Sequence, residues 1–249
     1  MMNKTALITG ASSGIGRHTA IALSKAGWNV VITARRLEGL NETKSLCASP
    51  DACLTVAGDI TEENFVLELF ARSVEKFGRL DLLFNNAGMS SPQVPIEESS
   101  MDIFRKVIDV NLVAAFVCTR EAVRQFKLQS PPGGRIINNG SLSAHVPRPF
   151  SYAYTMSKHA IHGLTKCTSL DGRPHNIACT QIDIGNAATE MASRLGRGAL
   201  QPDGRVSPEP MIDVQHVANM IVHVAGLPLD VTVLDLNIMP TTVPFVGRG

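Results

Sequence analysis

Tyr154 and Lys158 stand four residues apart in the segment YTMSK, and Ser141 lies thirteen residues before the tyrosine in NNGSLSA. In a helix, positions i and i+4 share a face, so this spacing predicts an ammonium beside a phenol. A free tyrosine, with a pKa near ~10, is a poor proton donor at neutral pH, and a neighbouring cation favours the tyrosinate form. The chemistry such a group serves is a reaction in which negative charge builds on a carbonyl oxygen and must be met by a proton. Tyr154 would then be the acid in reduction and the base in oxidation, and a serine hydroxyl would orient the oxygen. The chain has two tyrosines, and Tyr152 has Met156 rather than a lysine four residues on. Ser143 and Ser157 compete with Ser141 for the hydroxyl role.

These side chains need elements to position them. Short runs rich in Val, Ile and Leu alternate with longer segments of helical period, the pattern of βαβ units and a parallel sheet. Strands are expected at 5–9, 29–33, 53–57, 80–84, 135–139, 178–182 and 232–236, and helices at 14–26, 62–77, 101–128, 153–170 and 213–225. No repeat or linker divides the chain, so a single doubly wound α/β domain over 1–249 is expected, with a seven-stranded parallel sheet. The stretch 186–212 carries Gly196, Gly198, Gly204, Pro202, Pro208 and Pro210 and reads as an irregular substrate loop.

The first expected strand runs into TGASSGIG, which places Gly10, Ser12, Ser13, Gly14, Ile15 and Gly16 at a strand–helix turn. Glycine permits positive φ and close approach of backbone N–H groups to a pyrophosphate, and the helix behind adds its positive end. The spacing departs from GxGxxG, and a purely structural turn is the competing reading. At the end of the second strand a carboxylate would accept the ribose hydroxyls of NAD, whereas arginines would neutralise a 2′-phosphate. The chain reads TARR, with Arg35 and Arg36 and no acid. Each charge-assisted bond to phosphate is worth roughly 1.5–3 kcal/mol, which favours NADP(H) over NAD; solvated surface arginines are the alternative. The fourth strand ends in NNAG, where Asn86, Ala87 and Gly88 leave room for a ligand at the carboxyl edge of the sheet. Asn111, alone in the apolar run DVNLVAAFV, needs hydrogen-bond partners whether it serves the core or a site.

Composition narrows the partners. A formal charge of +1 leaves no basic excess to attract nucleic acid. No run approaches the ~20 apolar residues of a membrane span and no signal-like stretch follows the first methionine, so a cytoplasmic enzyme with a small-molecule substrate is expected. The five cysteines show no CxxC spacing and the seven histidines no HExxH, so neither disulfides nor a metal are expected. His159 and His162 read as packing or surface residues. Arg194, Arg197 and Arg205 could meet a substrate carboxylate or simply face solvent.

TGASSGIG, NNAG, the lone asparagine, the serine and YTMSK resemble the short-chain dehydrogenase/reductase family in identity, order and spacing over residues 5 to about 190. The resemblance implies a Rossmann-type three-layer fold, a nicotinamide cofactor and a catalytic tetrad of Asn111, Ser141, Tyr154 and Lys158, the interval to Tyr154 selecting Ser141. It implies that Lys158 holds the nicotinamide ribose and that Asn111 keeps a water linking the lysine to solvent. Asp59 and Ile60 would flank the adenine, and Thr189 would reach the nicotinamide amide. Two departures stand out. Ile184 and Gly185 replace the family's usual proline and glycine after the sixth strand, and Ser13 replaces the basic residue of some NADP-preferring members, leaving 2′-phosphate recognition mainly to Arg35. The ending VTVLDLNIMPT is similar to the NADP-dependent 3-hydroxy acid (serine-type) branch. The expected activity is an NADP(H)-dependent carbonyl reductase/alcohol dehydrogenase. The alternatives are a 3-hydroxy acid dehydrogenase and a non-catalytic NADP(H)-binding sensor. The apolar helix around Asn111 and the family's habit imply a homo-oligomer, a tetramer or dimer.

Overall fold

A computed structural model gives the fold and describes residues 3–190, 192 and 198–246. The chain runs β1 (Thr5–Thr9), α1 (Gly14–Lys25), β2 (Asn29–Ala34), α2 (Leu37–Ser45), β3 (Cys53–Ala57), α3 (Glu63–Phe77), β4 (Leu82–Asn85), α4 (Met101–Ile108) and α5 (Ala114–Leu128). It continues through β5 (Gly134–Asn139), α6 (Tyr152–Gly172), β6 (Ile177–Ile184), β7 (Ala199–Leu200), β8 (Val206–Ser207), α7 (Val214–Gly226) and β9 (Asp235–Ile238). Seven strands form a parallel sheet in the order β3-β2-β1-β4-β5-β6-β9.

Strands buried on both faces need apolar residues at successive positions rather than at alternate ones. β1 (TALIT) and β6 (IACTQIDI) are buried along their whole length. Alternation of side chains then sorts them into two layers. Ala6, Ile8, Val30, Ile32, Phe84 and Ile137 pack with Leu23 of α1 and Val217 and Ile221 of α7. Leu7, Val31, Leu83, Ile136 and Cys179 pack on the other face with Val66 and Leu69 of α3 and Cys118 and Phe126 of α5. The three-layer arrangement is the Rossmann-type expectation. Because β1 lies between β2 and β4, the direction of winding reverses there, and a crevice opens outside the carboxyl ends of the strands.

Beyond shifts of one or two residues at element ends, the structure departs from the sequence reading in four places. Helix α2 was not expected, since only Leu40 and Thr43 of its nine residues are buried and no apolar stripe announces it. The single helix expected at 101–128 is interrupted by a π-helical turn over Asp109–Val113, with Asn111 in its middle. β9 starts at Asp235 rather than 232 because the fully buried Arg135 holds the preceding connection, its Nη2 donating to the carbonyls of Leu227, Pro228 and Val231. The stretch 186–212 is not featureless: β7 and β8 form an antiparallel ribbon, and Ala187 bridges to Ile212. Arg194, Arg197 and Gly196 lie outside the described residues. Cys47, Cys53, Cys118 and Cys179 are buried, and Cys167 is exposed. Among the described residues no helix is long and apolar enough to cross a membrane.

Candidate active site

A cavity of about 920 Å³ lies along the carboxyl edge of the sheet, and the segments that follow β1 to β6 all contribute to its wall. At one end is the glycine turn. Gly10 and Gly14 have φ of +66° and +53°, a region that L side chains rarely adopt. Gly16 is not on the wall but packs beneath it: a Cβ there would stand 2.5 Å from the Gly10 carbonyl oxygen and 2.6 Å from Asn86 Nδ2. Ser13, at the N-cap of α1, makes no side-chain cap, so the first amides of that helix are left for an anion. The turn is held from behind by Arg17, whose Nη2 donates to the Ser12 carbonyl at 2.5 Å and to Glu42 Oε2 at 2.7 Å and whose Nε donates to Thr43 Oγ1 at 3.1 Å. A tight glycine turn with uncapped helix amides beside it, on the wall of one elongated cavity, fits a dinucleotide.

The next stretch of wall is polar and stitched together. Asn86 donates through Nδ2 to the Thr9 carbonyl at 2.8 Å and accepts on Oδ1 from Asn139 Nδ2 at 2.9 Å. Thr9 Oγ1 accepts from the amides of both Asn86 and Ala87 at 2.9 Å. Ala87 is thereby fixed on the wall, and Gly88 beside it lies close against Asn111, where a Cβ would stand 3.3 Å from Oδ1. Arg35 and Arg36 are exposed at the rim beside Asp59 and Ile60. Burial raises the Asp59 carboxyl, but the Thr61 amide and hydroxyl, at 3.0 and 2.8 Å, together with the Arg35 and Lys106 charges hold it below the usual carboxylate range.

At the far end α6 presents Tyr154 and Lys158 to the cavity. The helix places them on one face as the spacing predicted, with Lys158 Nζ 5.5 Å from the centre of the tyrosine ring. Lys158 is 6% exposed, and its Nζ donates to the Asn139 carbonyl at 2.7 Å. Tyr152 is exposed, and the competing Ser157 is turned inward, its hydroxyl donating to the Tyr154 carbonyl at 2.7 Å. Ser141 begins a 3₁₀ turn over Leu142–Ala144, and its Oγ accepts the Ser143 amide at 3.1 Å. That bond occupies one lone pair of the hydroxyl and leaves its hydrogen to donate into the cavity. Ser143, the other competitor, also reaches the wall.

Asn111 sits behind this wall rather than on it. Its Oδ1 accepts the Met89 amide at 2.8 Å, and its Nδ2 donates to the Met89 carbonyl at 3.0 Å and to Ser157 Oγ at 3.1 Å. The asparagine therefore ties the π-helical turn to the segment after β4 and to α6. Beyond Tyr154 the wall includes Ile184, Gly185, Asn186 and Thr189, with Arg148 facing them. The path after β6, which no proline fixes, is set by the Gly185 amide donating to the Ile238 carbonyl at 2.9 Å. Thr189 lies over the glycine turn, its Cγ2 3.4 Å from where a Cβ of Gly14 would be. Arg205 is paired with Asp203. Among the described residues no group of three His, Cys, Asp or Glu side chains could hold a metal.

Thr9, Arg17, Asn139, Arg148, Asp183 and Glu209 support the site and were not singled out from the sequence. Asp183 alone gave a sign, as a carboxylate inside the otherwise uncharged strand ACTQIDI.

A glycine cradle and a tyrosine–lysine pair along the carboxyl edge of one doubly wound sheet define a dinucleotide-dependent oxidoreductase. The short chain dehydrogenase family model matches residues 4–199. The chain is 38% identical over 199 residues to a 3beta-hydroxysteroid dehydrogenase of Mediterraneibacter gnavus, covering 77% of this chain and 68% of that one. Solved structures similar over nearly the whole chain include the following two. The 3-ketoacyl-(acyl-carrier-protein) reductase from Brucella melitensis, complexed with NADH, has a TM-score of 0.84 at 25% identity, with 96% and 98% of the two chains covered. ElxO with NADP bound has a TM-score of 0.84 at 28% identity and the same coverage. The protein belongs to the short-chain dehydrogenase/reductase family and is an oxidoreductase acting between carbonyl and alcohol.

Proposed function

We propose that this enzyme uses NADP(H) and that Tyr154 is its general acid/base. The observation that carries this reading is that Tyr154, Lys158 and Ser141 share one cavity with an uncapped glycine turn and an arginine pair. The turn from Gly10 through Ser12, Ser13, Gly14 and Ile15 would hold the pyrophosphate, with Gly16 keeping the turn closed. Arg35 and Arg36 would hold the 2′-phosphate, since β2 ends without a carboxylate to receive ribose hydroxyls. Asp59 and Ile60 would bracket the adenine, and Asn86, Ala87 and Gly88 would line the ribose. Ile184, Gly185 and Thr189 would meet the nicotinamide, which when bound supplies or accepts the hydride.

The remaining work falls to the chain's own groups. Ser141, with its oxygen engaged by the Ser143 amide, donates to the substrate oxygen and holds it against Tyr154. Tyr154 gives its phenolic proton to that oxygen in reduction and takes it back in oxidation. Lys158, anchored on the Asn139 carbonyl, brings positive charge to the oxygen on which negative charge develops. Asn111 keeps Met89 and α6 in register behind the tyrosine. Tyr154→Phe should lower NADPH oxidation at 340 nm by about 10²–10⁴-fold while still binding NADPH. A variant that turns over at the wild-type rate would sink the assignment. Binding without turnover in the wild type, over a panel of ketones, aldehydes, quinones and 3-oxo acids, would favour the sensor alternative. Val113 and Phe116, both exposed, support association between copies, which light scattering on the purified chain would read directly.

A further inference from the structure

Asp183 lies near the end of β6, behind Ser141, and its side chain is wholly buried. A buried carboxylate is costly unless donors meet its oxygens. Three groups do so. The Ser141 amide donates to Oδ1 at 2.8 Å, Gln181 Nε2 donates to the same oxygen at 2.7 Å, and His145 Nε2 lies 2.7 Å from Oδ2. Ser141 starts the 3₁₀ turn Leu142–Ala144 and His145 ends it, so one carboxylate grips both ends of the turn that carries the serine hydroxyl. Phe245 and His162 pack edge-on against the His145 ring and hold it in place.

Gly140 shows how closely the two strands were brought together for this contact. A Cβ there would stand 1.9 Å from Asp183 Oδ1, so the carboxylate at 183 and the bare backbone at 140 require one another. Asp183 and His145 do not line the cavity and take no part in the proton transfer described above. Their geometry points to a positioning role: Asp183, with His145 as its partner, fixes the backbone of Ser141 so that its hydroxyl is aimed at the substrate oxygen. This rests on the assignment of Ser141 made under the proposed function. Because the carboxylate acts through the serine, its removal costs rate only where the serine hydroxyl is present.

A double-mutant cycle in kcat tests this. Asp183→Ala should lower kcat by about tenfold, less than the roughly 10²–10³ expected when an oxyanion donor is deleted outright, and should leave the KM for NADPH within about twofold. In a Ser141→Ala background the same change should cost nothing further. Asp183→Asn should recover much of the rate, since its oxygen can still accept the Ser141 amide once the His145 ring takes its other tautomer. Equal losses in the two backgrounds, or no loss with Ser141 intact, would overturn the positioning role. A Ser141→Ala variant with unchanged kcat would instead overturn the serine assignment, and this inference with it. If Asp183→Ala does not fold, the same cycle run with His145→Ala decides, and His145→Gln, which keeps a donor near the Nε2 position, should restore the rate.

Discussion

Glu209→Gln should destabilise the protein by about 3 kcal/mol at pH 7, and by less in acid. The Glu209 side chain is 2% exposed and that of Arg148 18%. Arg148 donates through Nη1 to Oε1 at 2.8 Å and through Nη2 to Oε2 at 2.5 Å, and Gln201 and Asn186 add donors at 3.0 and 2.9 Å. Burial raises the Glu209 carboxyl, but these donors outweigh it and hold it at about 2, against an ordinary 4.5. At about 1.4 kcal/mol for each tenfold change in proton affinity, that depression is worth about 3 kcal/mol. The folded pKa is the lower one, so the contribution is complete above the unfolded value and is lost as pH falls through the folded value, leaving about 2 kcal/mol at pH 3.5. Glutamine keeps the shape, removes the charge and leaves Arg148 without its carboxylate, a loss put at about 3–5 kcal/mol for a buried pair. Urea denaturation of both proteins at pH 7 and pH 3.5 reads the gap. A gap below about 1 kcal/mol at pH 7, or one that does not narrow in acid, would refute the reasoning. Since Arg148 and Asn186 line the cavity, the variant should also raise the KM for the carbonyl substrate more than that for NADPH.

Three further outcomes follow from contacts in the site. Gly16→Ala forces a methyl against the Gly10 carbonyl oxygen and Asn86 Nδ2, and should cost about 1–3 kcal/mol, read as a lower Tm together with weaker NADPH binding by calorimetry. Arg35→Ser should raise the KM for NADPH about ten- to hundredfold and leave that for NADH nearly unchanged; equal use of the two cofactors by the wild type would contradict the 2′-phosphate role. Asn111→Leu leaves the Met89 amide and carbonyl without their buried partner, at about 1–3 kcal/mol for each unpaired group, and should lower both Tm and kcat. Unchanged values for that variant would show the asparagine to be dispensable.

What could be read from the sequence was whatever is encoded locally. The run TALIT marks a strand and ACTQI the middle of another, which the structure extends to Ile177–Ile184; both are buried along their whole length. Tyr154 and Lys158 were legible because one helical turn joins them, and Gly10 and Gly14 because a positive φ demands glycine. Helix α2 was missed for the converse reason: it covers the glycine turn through Thr43 and Gly39, contacts that leave no periodic signature. The π-helical turn keeps the apolar period of the helices on either side, so 101–128 reads as one helix although its hydrogen bonding changes at Asn111.

The supporting carboxylates were hidden by distance along the chain. Arg148 and Glu209 are 61 residues apart, and Ser141 and Asp183 are 42 apart. No spacing rule links such positions, and only the closed fold brings them together. Yet the two cases are not equally opaque. Glu209 sits between prolines in an irregular stretch, where an acid is unremarked. Asp183 sits in a strand whose other residues are uncharged, and a charge there must be met by donors from elsewhere in the chain. Its presence in ACTQIDI therefore already required partners at the carboxyl edge of the sheet, where Ser141 and His145 lie on the neighbouring strand's continuation. The glycine at 140 carries the same constraint from the other side, since a residue with a side chain would deny the carboxylate its place. Two residues that look unrelated in the sequence are thus one requirement of the fold, and the serine that follows Gly140, its amide held by the carboxylate, is the residue that benefits.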